Sequence, residues 1–196
     1  MTLRQARHLV ALLTARGVRF EEGLTESELA QIAHQFGIVF PPDLRLFLHV
    51  ALPTSPKFAP WRQALTSAAG AKALRKALSW PLDNLLFDAK RNTFWYPEWG
   101  APPDDGDGKE QLIRQYYPHY PTLIPLYSHR FLPALPLLAG NPVFSMYGTD
   151  IIHYGNNLAS YFANEFGFKL PSAFDNPPHP KNHIAFWDTL VKSWRS

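Results

Sequence analysis

Ser145, Asp150 and His153 fall within nine residues of one another, in the stretch SMYGTDIIHYGNNLASYF at positions 145–162. Serine, aspartate and histidine are the residue types of a nucleophilic triad. In such a triad the imidazole takes the serine proton with one nitrogen and is held by the carboxylate through the other. The local pattern argues against it. The serine is not in a Gly-x-Ser-x-Gly elbow, alternation over Val143–Tyr147 places it inside a strand, and no oxyanion-hole loop is evident. Gly148 to Asp150 carry turn chemistry and 151–154 reads as a second strand, so the stretch predicts a hairpin. Gly155 breaks the strand and Asn157 is a natural cap for a helix with Leu158, Tyr161, Phe162 and Phe166 on one face. Asp150 then reads as a turn residue that accepts backbone N–H groups or pairs with a cation such as Arg130. A serine hydrolase built on Ser145, His153 and Asp150 is the weakest of the functional readings.

Other chemistries have less support. The eight histidines are scattered; His179 and His183 are four apart, but the proline between them breaks helical spacing, and no His-Glu-x-x-His pattern occurs. The absence of cysteine removes disulfides, thiolate zinc sites and a cysteine nucleophile together. No glycine-rich loop opens a helix after a strand, so no phosphate or dinucleotide site is expected. The sequence thus calls for no cofactor, no metal and no catalytic residue.

Charge and composition narrow the possible classes without naming a function. The chain has 196 residues, 46% of them hydrophobic, enough for one core and one domain over 1–196. Nineteen Lys and Arg against 16 Asp and Glu leave +3, too weak a field to predict a nucleic-acid binder. Residues 44–82 hold no acid but six bases, including Arg62, Lys72, Arg75 and Lys76. Asp104, Asp105 and Asp107 cluster in PPDDGDGKE, which reads as a solvated loop because it lacks the spaced ligands of a calcium loop. The longest uncharged stretch, 131–149, is broken by Pro133, Pro136 and Pro142, which rules it out as a spanning helix. The apolar run after the first basic residues is short and closed by Arg16, so an amphipathic first helix is expected there, in a cytoplasmic protein with no membrane partner.

The elements that must position these groups read as α+β. LTESELAQIAHQFG has the spacing of a capping box, Thr25 with Glu28, and a hydrophobic staple, Leu24 with Leu29, before a face of Leu29, Ile32, Ala33 and Phe36 that Gly37 closes. FPPDLRLFLHV places Pro42 at a first helical position and turns Leu44, Phe47 and Leu48 inward. AAGAKALRKALSW predicts a basic helix ended by Pro81, and NLLFD and NTFWYP predict a β-hairpin joined by AKR. A helix follows near 108–117, then the strand TLIPLY, whose Pro125 requires an edge or a bulge. A last helix carries Ile184, Trp187, Leu190, Val191 and Trp194. On a strand, Trp95 would face opposite to Phe94 and Tyr96, which predicts that one set of the FWYPEWG rings is buried.

Taken in order, GLTESELAQIAHQFGIVFPPDLRLFL, PLDNLLFDAKRNTFWYPEWG, PTLIPLYSHRFLPA and NPVFSMYGTDIIHYGNNLASYFANEF resemble the bacterial Smi/Knr-type branch of the SUKH superfamily, and IAFWDTL near the C-terminus is similar to it as well. Residues 57–79 and the acidic loop match loosely. The resemblance implies an α+β domain with a central, mainly antiparallel sheet and flanking helices, and it carries over no catalytic residue. Trp95, Trp99, Gly100, Arg130, Asp150, Tyr154 and Gly155 stand at its motif positions, which implies scaffold roles and an Arg130 to Asp150 ion pair. Many bacterial relatives are immunity proteins that neutralise a cognate toxin by binding it, and eukaryotic ones are regulatory interaction proteins. The leading expectation is accordingly an immunity-type protein that binds its cognate toxin; the alternative is a regulatory or scaffolding module that binds another protein. Arg62, Lys72, Arg75 and Lys76 would meet an acidic partner, and Asp104, Asp105 and Asp107 a basic nuclease.

Overall fold

Helices begin where the sequence supplies caps. The first, α1 (Leu3–Thr14), starts at Thr2, whose hydroxyl accepts the Gln5 N–H while the Gln5 side chain accepts the Thr2 N–H. Thr25 and Glu28 make the same exchange at the start of α2 (Glu26–Phe36), satisfying N–H groups that a first turn leaves open. Pro42 opens α3 (Pro42–Val50), which buries Leu44, Phe47 and Leu48 as their spacing predicts. Between and after these helices run two three-residue strands, β1 (Phe20–Glu22) and β2 (Ala51–Pro53), paired antiparallel. Three residues carry no readable period, and the sequence did not reveal either strand. The structure, a computed structural model, describes residues 1–193; the expected contribution of Trp194 to the last helix lies outside them.

After the short α4 (Trp61–Thr66), α5 (Ala68–Lys90) corrects the sequence reading. It does not stop at Pro81, and 84–97 does not form a hairpin. A proline inside a helix costs about 3 kcal/mol. Beyond Pro81, however, α5 buries Leu85, Leu86 and Ala89, and each large side chain taken out of water returns about 1.5–3 kcal/mol, so continuation wins. The Asn84 side-chain amide reinforces this turn by donating to the Trp80 carbonyl at 2.7 Å. Phe94, Trp95 and Tyr96 lie on a connecting loop closed by one 3-10 turn, Pro97–Trp99.

The remaining elements are α6 (Gly106–Tyr116), the strands β3 (Leu123–Tyr127), β4 (Arg130–Pro133), β5 (Val143–Tyr147) and β6 (Asp150–Gly155), then α7 (Leu158–Phe166) and α8 (Trp187–Ser193). The four strands form an antiparallel sheet in the order β3-β4-β5-β6. Pro125 sits, as it must, on an edge strand beside a register shift. That edge is covered by residues 57–59, through Ala59 N–H to the Leu126 carbonyl and Ser128 N–H to the Lys57 carbonyl.

Both faces of this sheet are buried. Ile124, Leu126, Leu132 and Val143 face a core shared with α1, α2, α3, α4 and α7. Leu123, Phe131, Phe144, Met146 and Ile151 face a second core with α6, α8 and the 94–99 aromatics. Helix α5 serves both, with Leu74 in the first and Leu85, Leu86 and Ala89 in the second. At a rise of 1.5 Å per residue it spans about 34 Å. The fold class is α+β, a central antiparallel sheet flanked by helices.

Candidate partner-binding groove

The β5–β6 hairpin separates the three residues of the supposed triad. Ser145 stands opposite Ile152, while His153 stands opposite Phe144, one residue on and therefore on the other face. The Ser145 hydroxyl accepts a bond from Arg130 Nη1 at 2.7 Å. His153 turns Nε2 to Asp188, whose buried carboxylate also receives His183 Nδ1 at 2.8 Å and the Ile184 N–H at 2.9 Å. Burial raises the Asp188 pKa, but the His153, Ile184 and His183 bonds together outweigh it and hold the carboxyl below its usual range. Asp150 stands exposed at the hairpin tip, opposite Tyr147.

The expected Arg130–Asp150 ion pair does not form. Arg130 is buried beside α7, where Nε meets Glu165 Oε2 at 2.9 Å and the guanidinium lies over the Tyr154 ring, 3.8 Å from its centre. Glu165 lies 35 residues along the chain, beyond any local pattern. The other residues named with Arg130 make contacts within the fold. Trp99 is buried and meets the Phe94, Trp95 and Tyr96 rings, so the rings converge instead of facing opposite ways. Trp95 Nε1 donates to the Gly100 carbonyl at 2.8 Å. At Gly155 any side chain would collide with Tyr161, whose Cα would lie 2.5 Å from an added Cβ.

The two charged groups expected to meet partners fare differently. Arg62 is spent inside the fold. Its guanidinium pairs with Glu28 and Glu21 and donates to the Glu22 and Gly23 carbonyls, which holds the Glu28 carboxyl at a pKa of about 2. Lys72, Arg75 and Lys76 lie exposed along α5, Arg75 with its guanidinium over Phe36. Asp104 and Asp107 are exposed, and Asp105 caps α6 by accepting the Asp107 and Gly108 N–H groups.

A different surface stands out between α5 and the β5–β6 hairpin. Here a groove of about 610 Å³ runs past Trp80, Asp83, Phe87, Tyr147 and Asp150, with Lys76 at one end. Large apolar side chains are left in water along it: Tyr147 is 79% exposed, Phe87 53% and Trp80 39%. Its walls are fixed. Asp88 Oδ2 accepts the Thr149 N–H at 2.7 Å and the Thr149 hydroxyl at 2.9 Å, and Asn84 Oδ1 accepts the Gly148 N–H at 3.1 Å. Asn84 and Asp88 are one helical turn apart, so one stripe of α5 grips the hairpin turn. Arg91 covers one side of Phe87, 4.1 Å from the ring centre.

Lys76 and Asp150 were singled out in the sequence; Trp80, Phe87 and Tyr147 were not. Trp80 and Phe87 are seven apart, and that helical spacing was the available signal, hidden once the helix was ended at Pro81. Among the described residues no group of histidine and acidic side chains is arranged to hold a metal ion, and no helix is long and apolar enough to cross a membrane. No protein-family model matches the chain, and no curated protein or solved structure matches it either.

Proposed function

We propose that this chain is a non-enzymatic protein-binding domain of immunity type, a SUKH-like cytoplasmic protein that neutralises a cognate bacterial toxin by direct contact. The observation that carries the binding role is the groove between α5 and the β5–β6 hairpin, where Trp80, Phe87 and Tyr147 remain in water beside walls locked by hydrogen bonds. Exposed aromatic side chains clustered around a concave surface are the usual anchors of protein interfaces. A preformed groove also spares the ordering cost that a flexible surface would incur on binding. The immunity role rests on the ordered series of SUKH-like stretches, within which Phe87, Tyr147 and Asp150 of the groove fall. Occlusion of a toxin needs a complementary surface and no reactive group, in keeping with Ser145 and His153 being engaged elsewhere.

Co-expression with the product of the adjacent gene tests it. The expected result is protection of the host cells and a complex on co-purification, both lost in a Phe87→Ala, Tyr147→Ala double variant. Binding without protection would replace the immunity role by a regulatory or scaffolding one. Neither protection nor a complex would overturn the proposal.

A further inference from the structure

The groove is acidic although the chain is not. Three carboxylates, Asp83, Asp88 and Asp150, line it against the single ammonium of Lys76, in a protein of net charge +3. None of the three forms an ion pair among the described residues. Asp88 is committed to Thr149, and Asp83 accepts the Ser79 hydroxyl at 2.8 Å. Asp83 and Asp150 are exposed, one on each wall, with Phe87 and Tyr147 also on opposite walls. The bases nearby do not neutralise them: Lys76 lies about two turns before Asp83 on α5, and Arg91 is stacked on Phe87.

We propose that the groove takes a basic segment of the partner protein, one that presents an apolar side chain between the aromatic rings and a lysine or arginine to Asp83 and Asp150. This rests on the groove being the partner surface. Complementary charge gives such an interface its choice of partner and its speed of association, while the apolar anchor supplies most of the affinity.

The test uses the full chain and two short helical peptides with identical apolar positions, one carrying lysine and arginine on its polar face and the other glutamate. Binding is followed by the backbone and indole N–H resonances of Trp80 and its neighbours. The expected result is that the basic peptide binds roughly tenfold tighter at low salt. That preference should be lost in an Asp83→Asn, Asp150→Asn variant whose Tm is unchanged, and Phe87→Ala should weaken both peptides. Equal affinities, or a preference for the acidic peptide, with the Phe87→Ala effect intact, would overturn the basic-segment assignment and leave the groove as the docking surface. No response at Trp80 to either peptide would remove the groove reading and this proposal with it.

Discussion

The carboxylate of Asp88 accepts both the N–H and the hydroxyl of Thr149, at 2.7 and 2.9 Å, and so fastens the hairpin turn to the last turn of a long helix. Thr149 is buried, and removing Asp88 takes both of these bonds away at once. Asp88→Ala is expected to cost about 1–3 kcal/mol in urea denaturation, from the loss of two hydrogen bonds to a charged acceptor.

Gly148 sharpens this expectation. It has φ +62°, and a Cβ there would lie 2.8 Å from Asp88 Oδ2. Gly148→Ala should therefore destabilise by about 1–3 kcal/mol from backbone strain, with the clash added. In the Asp88→Ala background the clash is gone and the strain remains, so a double-mutant cycle should show the pair costing less than the sum.

Tyr161 offers the opposite sign. Its ring packs in the first core, but its hydroxyl is buried with no hydrogen-bond partner among the described residues, and burial pushes its pKa well above the ordinary tyrosine value. Tyr161→Phe should raise stability by about 1 kcal/mol, read from the denaturation midpoint at unchanged slope.

Glu165→Gln tests the partner of Arg130. The pair is largely buried, and removing one member leaves the other charge unmatched, which costs about 3 kcal/mol. Asp150→Asn, at the exposed hairpin tip, should leave the Tm unchanged. The reverse ranking would restore the Arg130–Asp150 pairing expected from the motif.

The Arg62 bond holds Glu28 at a pKa of about 2, against 4.5 ordinarily. Its folded-state pKa is depressed, so its contribution is present in full above about pH 4.5 and is lost as the pH falls towards 2. Glu28→Gln should cost about 1–2 kcal/mol near pH 7, allowing for solvent screening of a surface pair. The difference from wild type should shrink below pH 4.5 and vanish near 2.

What the sequence disclosed was local. Thr25 with Glu28, Pro42 and Asn157 act within one turn of their own positions, so their spacing was enough to place three helix starts. Pro125 announced its edge position because a missing N–H is a property of the residue alone. The groove stayed hidden for the converse reason. Pro81 and the aromatic run after it signal a helix end and a hairpin, and only burial of Leu85, Leu86 and Ala89 against a distant sheet overrules them. With the helix cut at Pro81, Trp80 and Phe87 never shared a face. Arg62 and Arg130 misled similarly: a cation's spacing shows that it is charged, and the acids that claim these two come from other elements.

Helix α5 enters one core with Leu74 and the other with Leu85. Neither half of the protein can open without fraying the same rod, so the two cores are bound to melt as one cooperative unit. A molecule seated against Trp80 and Phe87 grips that rod from its midpoint towards its C-terminal end. Occupancy of the groove would therefore slow amide exchange on both faces of the sheet, far beyond the residues it touches.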